Sequence, residues 1–222
     1  GVLAYRTEGG DSTVVEAVDR SGRRLSTLIS GGHLRGVTTS RDGRFVAFER
    51  TNPQSGVVDV WLLDAMRGVE TELTFGQSVG ERPRFAADGR SILYELAREG
   101  RNVLLVREAT AAAPEKEFWV APLESVLNDW SPDGKQVLVA DLQPDRHVQL
   151  RIYDVAGQGP ATACDSRAPE TYDGRFSPDG LSVAYVAGSP GRLGEVFVGT
   201  VPPTAQASQV SAGGGRRPRW RA

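Results

Sequence analysis

Four Asp-Gly pairs recur along the chain at steps of 46, 45 and 46 residues: Asp42-Gly43, Asp88-Gly89, Asp133-Gly134 and Asp179-Gly180. Their neighbours repeat with them. Ser40, Ala86, Ser131 and Ser177 stand two residues before each Asp. The apolar runs Phe45-Val46-Ala47-Phe48, Ile92-Leu93-Tyr94, Val137-Leu138-Val139-Ala140 and Val183-Ala184-Tyr185-Val186 follow each pair. An aromatic, Phe85, Trp130 or Phe176, precedes three of the pairs, and Thr39 takes that place in the earliest copy. A unit of this length cannot bury its own faces, so the copies must stack on one another. Short strands at this period predict the blades of a β-propeller.

The local chemistry predicts strand, tight turn, strand. Pro132 and Pro178 pre-set φ at the first central position of a type I turn. The Asp side chain bonds its own backbone, and Gly takes the left-handed position that follows. Asp42, Asp88, Asp133 and Asp179, with Gly43, Gly89, Gly134 and Gly180, are therefore read as structural turn residues. They are not read as metal ligands, because none has a second ligand at calcium-loop spacing. Arg41 and Ala87 replace the Pro in two copies, which weakens those turns.

The two ends complement each other. Arg217-Pro218-Arg219-Trp220 matches Arg82-Pro83-Arg84-Phe85, the segment before a turn. Gly1-Val2-Leu3-Ala4-Tyr5-Arg6 looks like the run after one. Paired, they would complete a fifth blade and leave no open edge. The expected fold is all-β: one five-bladed propeller domain of four-stranded antiparallel blades, closed by the C-terminal strand on the N-terminal strand. The blades are expected near 1–30 plus 216–222, 31–75, 76–122, 123–166 and 167–215. Expected strands include 34–40, 44–50, 57–64 and 71–74 in the second blade, and a weak 161–165 in the fourth.

Composition bounds function mainly by exclusion. A net charge of −2 and a pI near 5.8 give no case for a nucleic-acid surface. One cysteine, Cys164, excludes an internal disulfide. No run approaches the length of a membrane span, so no membrane insertion is expected of this segment. The chain begins at Gly1 rather than Met and reads as an excised domain or processed product. The loops between second and third strands vary most, which marks one face as a candidate binding face.

Trp130-Ser131-Pro132-Asp133-Gly134 and Phe176-Ser177-Pro178-Asp179-Gly180 resemble the WD-like repeat of TolB-type propellers. Longer stretches are similar to the propeller region that follows the kinase domain and membrane span in some bacterial serine/threonine protein kinases. These are residues 1–6, Asp19 to Gly22, 59–64 with 71–75, 174–180 and 213–220. That resemblance implies a sensor or interaction module of a bacterial signalling protein, outside the cytoplasm. It supplies no ligand.

Chemistry-bearing motifs are few. Gly76-Gln77-Ser78-Val79-Gly80 matches the nucleophile elbow G-x-S-x-G, but it falls in a polar link with no helix after it and reads as a plain turn. His33 and His147 read as solvated loop residues, and Gly213-Gly214-Gly215 as a flexible link rather than a phosphate loop. No catalytic residue, metal or cofactor is expected. The candidate ligand site is the axial funnel, where the inner strands bring Arg82, Arg84, Asp129, Asp173, Arg175, Arg217 and Arg219. Guanidinium groups there suit a carboxylate or an acidic peptide. The expected function is a non-enzymatic interaction module, monomeric, taking a protein, peptide or small anionic ligand. A structural spacer whose arginines and aspartates pair internally is the alternative, and a propeller enzyme using funnel acids a more distant one. If the terminal strands close the ring, deleting residues 215–222 lowers the melting temperature sharply. An unchanged melting temperature would show that they do not.

Overall fold

Short apolar runs set between glycine-bearing turns suit a pleated backbone. The computed structural model accordingly contains nineteen strands and, among its described residues, no helix. The structure describes residues 3–9, 12–19, 21–75, 80–110, 114–121, 125–156, 161–165, 167–189, 192–204 and 206–220. The strands form five antiparallel sheets in chain order. The first holds β1 (Leu3–Gly9), β2 (Ser12–Val18) and β3 (Arg24–Ser30). The second holds β4 (His33–Thr39), β5 (Phe45–Thr51), β6 (Val58–Asp64) and β7 (Val69–Glu72). The third holds β8 (Gly80–Phe85), β9 (Ser91–Arg98), β10 (Arg101–Glu108) and β11 (Lys116–Ala121). The fourth holds β12 (Ser125–Trp130), β13 (Gln136–Leu142), β14 (Val148–Asp154) and the two-residue β15 (Thr162–Ala163). The fifth holds β16 (Glu170–Phe176), β17 (Ser182–Gly188), β18 (Glu195–Thr200) and β19 (Ala207–Gln209). The chain divides into two compact units, Gly1–Phe118 and Trp119–Ala222.

One expectation is corrected. Four of the sheets are four-stranded blades, not five, because the first sheet has three strands and residues 210–220 carry no strand. Arg217-Pro218 repeats the left-handed residue and proline of Arg82-Pro83 in β8 (φ 49° and 57°), but β8 has β9 beside it to complete a ladder, whereas residues 210–220 form no strand.

The continuous apolar runs are explained by burial on both faces. In β5, Val46 and Phe48 pack with Val15 and Ile29 of the first sheet and with Leu34 of β4. Ala47, between them, packs with Ile92, Tyr94 and Leu105 of the third blade. Within the second unit, Leu138, Leu150 and Ile152 of the fourth blade meet Val183, Tyr185 and Phe176 of the fifth. Each such large side chain withdrawn from water contributes about 1.5–3 kcal/mol. Tyr94 and Tyr185 are fully buried, and their hydroxyls donate to Glu115 (2.8 Å) and Asp165 (3.2 Å) near the outer strands.

The Asp-Gly turns share one clip. The Ser40 hydroxyl donates to Asp42 Oδ1 (2.6 Å) and accepts the Phe45 N–H (2.9 Å), while the Arg44 N–H donates to Asp42 Oδ1 (3.0 Å). Ser131 with Asp133, and Ser177 with Asp179, repeat the pattern. The serine hydroxyl first, then the backbone N–H, holds all three aspartates below the ordinary value. Ala86 lacks the hydroxyl, and there Asp88 Oδ1 takes both the Arg90 and Ser91 N–H groups. The four glycines have φ between 65° and 74°.

The first strand of each four-stranded blade carries a register shift: between Arg35 and Thr38, Glu81 and Arg84, Leu127 and Asp129, and Tyr172 and Arg175. Three of these bulges contain a left-handed residue at the same place, Gly36, Arg82 and Asp173, with φ of 58°, 57° and 55°. Bulges of this kind bend a strand and re-aim its side chains. At the fifth-blade bulge, a Cβ on Gly174 would stand 2.4 Å from Leu150 Cδ2 and 2.5 Å from Leu138 Cδ2. Gly174→Ala is therefore expected to destabilise the protein by about 1–3 kcal/mol through overpacking. Denaturant unfolding measures this, and an unchanged midpoint would mean that β16 is not pressed against β13 and β14.

Candidate functional site

The bulges decide where the predicted funnel residues go. A bulged backbone N–H leaves its ladder and needs another acceptor. In the first unit the Arg82 N–H donates to Glu49 Oε1 at 3.0 Å. In the second unit the Gly174 N–H donates to Asn128 Oδ1 (2.9 Å), and the Phe176 N–H to Asp129 Oδ2 (2.8 Å). The Arg217 N–H donates to Asp173 Oδ2 (3.2 Å). In each case the acceptor belongs to the preceding repeat. Asp129 and Asp173 were candidates for bridging the arginines. The structure sets one oxygen of each against a backbone N–H.

The arginines divide by environment. Arg82, in the first unit, is fixed between Glu81 (2.6 Å) and Glu95 (2.7 Å). Burial works against its charge, but Glu95, then Glu81 and Glu49, hold its guanidinium above the ordinary arginine value. Glu95 is buried and also accepts from Asn102, and buried Glu49 pairs with Arg35 at 3.6 Å. Arg84 folds back on the Pro83 carbonyl (2.7 Å). In the second unit Arg175 bonds the Asn128 carbonyl, and Arg219 its own Pro218 carbonyl at 3.1 Å.

Arg216, Arg217 and Arg219 are exposed. Among the described residues none of the three pairs with a carboxylate. Arg216 was not among the predicted residues, though the doublet before Pro218 was its signal. The second unit thus brings together Asp129, Asp173, Arg175, Arg217 and Arg219, whereas Arg82 and Arg84 belong to the first.

What positions this arm is a second feature missed in the sequence. The glycines read as a flexible link form an anion cradle. Gly213 and Gly214 N–H groups donate to Glu195 Oε1 at 2.8 and 2.7 Å, and the Ser211 hydroxyl donates to Glu195 Oε2. Their φ values of 89° and 101° require glycine. The Gly215 N–H then donates to the Gly194 carbonyl (2.9 Å), and Trp220 Nε1 to the Arg175 carbonyl (2.9 Å). The arm therefore runs beside the first strand of the fifth blade, its arginines outward.

The remaining predicted motifs carry little. Gly76 to Val79 of the G-x-S-x-G sequence lie outside the described residues. His147 Nδ1 lies 3.3 Å from the Asp145 carboxylate in an exposed loop, and His33 opens β4. Among the described residues no group of three or more His, Cys, Asp or Glu is placed to hold a metal. None forms a helix long and apolar enough to cross a membrane.

No protein-family model matches the chain. An uncharacterized protein of Agrobacterium fabrum is 28% identical over 160 residues, covering 66% of this chain and 52% of that one. The solved structure of TolB from Acinetobacter baumannii superposes with a TM-score of 0.76 at 19% identity, over 94% of this chain and 52% of that one. An oligogalacturonate lyase in complex with manganese superposes at 0.62 and 12% identity, over 90% of this chain and 62% of that one. The chain spans about half the length of the first two. At these identities the likeness establishes the fold, an all-β, TolB-like propeller type with four-stranded antiparallel blades. Its neighbours include propeller enzymes as well as TolB.

The Ser211 hydroxyl, then the Gly214 N–H, hold Glu195 below the ordinary glutamate value of 4.5. A carboxylate with a depressed folded value stabilises fully above its unfolded value and loses that contribution as pH falls through the folded one. Melting temperature is therefore expected to drop below about pH 4.5, with Glu195→Gln removing part of that drop. Superimposable pH profiles for variant and wild type would show that this carboxylate does not hold the arm.

Proposed function

We propose that the chain is a non-catalytic interaction module that binds an acidic peptide or protein segment on the arginine-bearing arm of its second unit. The observation that carries this reading is the set of exposed guanidiniums of Arg216, Arg217 and Arg219, which no described carboxylate neutralises, while Asp129 and Asp173 each accept a backbone N–H. Guanidinium groups bond carboxylates in a planar, two-pronged geometry, so a rigidly held row of them favours an extended acidic partner. Arg82 plays a different part. Its two carboxylates make it a structural cation, which is what the spacer reading expects of every funnel arginine. The placement of the module in a larger bacterial signalling protein, as an extracytoplasmic sensor, rests on the resemblance of residues 174–180 and 213–220 to kinase-attached propellers.

A fluorescent Asp/Glu-rich peptide tests the reading by anisotropy. Affinity should fall steeply between about 50 and 300 mM salt, because exposed charges are screened over that range. Arg217→Ala combined with Arg219→Ala should weaken binding by about tenfold or more. Arg82→Ala should lower the melting temperature instead. Binding that ignores both salt and the arm substitutions would move the site to the variable loops.

A further inference from the structure

The first unit holds a cleft that none of the preceding chemistry uses. Its volume is about 570 Å³, within the usual range for small-ligand sites. Leu73 and Phe75, following β7, Leu96 and Arg98 at the end of β9, Glu99 in the β9–β10 turn, and Glu115 line it. Phe75 is 71% exposed, a large aromatic face turned to water at the rim. Glu115 has partners on both oxygens: Tyr94 donates to Oε2 at 2.8 Å and Arg98 lies 3.4 Å from Oε1. Among the described residues, no hydrogen bond or ion pair engages the Glu99 carboxylate. Glu99 also sits at φ 52° beside Gly100 at 72°, in a two-residue turn where Asn or Gly is the comfortable choice. The cleft therefore offers an exposed aromatic face and two carboxylates against one guanidinium.

We infer that this cleft binds an organic cation, an alkylammonium or alkylguanidinium group. The charge lies against Glu99 and Glu115, and the aliphatic stem lies on Phe75. A cation over an aromatic face is attracted by the ring's quadrupole, and the stem gains from covering exposed apolar surface. An anion is disfavoured by the excess carboxylate. The site lies on residues distinct from the arginine arm, so the two readings stand or fall separately.

Two probes separate the sources of such a cation. Spermidine represents a free polyamine, and acetyl-Gly-Arg-Gly-amide a basic peptide side chain. Each is titrated into the full chain to about 10 mM while backbone amide NMR shifts are followed, a range that captures millimolar affinity. Saturable shifts centred on residues 73–75 and 96–99 are expected with at least one probe, and whichever binds more tightly names the source. Phe75→Ala should weaken binding about three- to fivefold. Glu99→Asn, which suits the left-handed turn and keeps the fold, should act in the same direction, and the two together should cost about tenfold. Arg98→Ala should tighten binding by releasing Glu115. No saturable shift with either probe overturns the inference. So does binding unchanged by both substitutions in variants of wild-type melting temperature, and so does equal binding of acetyl-Gly-Glu-Gly-amide at the same residues.

Discussion

A backbone N–H turned out of its ladder must find an acceptor, and that requirement organises the inner strands of this protein. Each four-stranded blade begins with a strand whose register slips near its middle. The slipped donors cannot reach their own sheet. The preceding repeat supplies Glu49 and Asn128 to two of them, the Arg82 and Gly174 N–H groups, and likewise Asp129 and Asp173 to the N–H groups of Phe176, just past its bulge, and of Arg217. Within each unit these bonds join successive repeats by polar contacts at the inner edge. The leucine, valine and tyrosine clusters join them further out.

The relative sizes of two effects explain the charge pattern that results. A buried donor left unpaired costs about 1–3 kcal/mol, whereas a solvent-exposed arginine–aspartate pair is worth about 0–1. An aspartate within reach of both a bulged N–H and an exposed guanidinium therefore goes to the N–H. Asp173 accepts the exposed Arg217 N–H, where the cost of an unpaired donor is small, and the Arg217 side chain stands in water. The arginines of the arm are exposed because of the backbone geometry beside them. Arg82 differs because Glu81 and the buried Glu95 both lie within ion-pair distance of its guanidinium.

Much of the fold is legible in the residues. The Asp-Gly period located the hairpins, and strands expected at 44–50 and 57–64 occur as Phe45–Thr51 and Val58–Asp64. Periodicity and turn chemistry suffice there because both are local. The bulges were not legible. Arg82, Asp173 and Arg217 give no sign of a left-handed φ, and the one clue, Gly36 at the matching place, stands in a single copy. That Asp129 and Asp173 accept backbone N–H groups was not legible, for a related reason. Sequence shows which charges share a strand position but not which backbone donors will be orphaned beside them. The serine two residues before each turn aspartate was visible as a repeat, and its role as a clip required the hydroxyl's two partners to be seen together.

A comparison between two blades shows how a small change in side-chain length extends one motif into another. In the second blade the Thr74 hydroxyl accepts the Val60 N–H (3.0 Å) and donates to Asp59 Oδ1 (2.7 Å), tying the end of the outer strand to β6. In the fifth blade Ser211 makes the same pair of bonds, to the Val196 N–H and to Glu195. Glutamate is one methylene longer than aspartate. Its second oxygen reaches beyond the clip to the Gly213 and Gly214 N–H groups. Only glycine relaxes easily into the left-handed φ values those two positions need, so the carboxylate and the glycines depend on each other. A clip that merely ends a blade elsewhere here carries the chain on, turns it back along β16, and holds Arg216, Arg217 and Arg219 toward solvent. The basic surface thus depends on a structural device already present in another blade, altered by one methylene and two glycines.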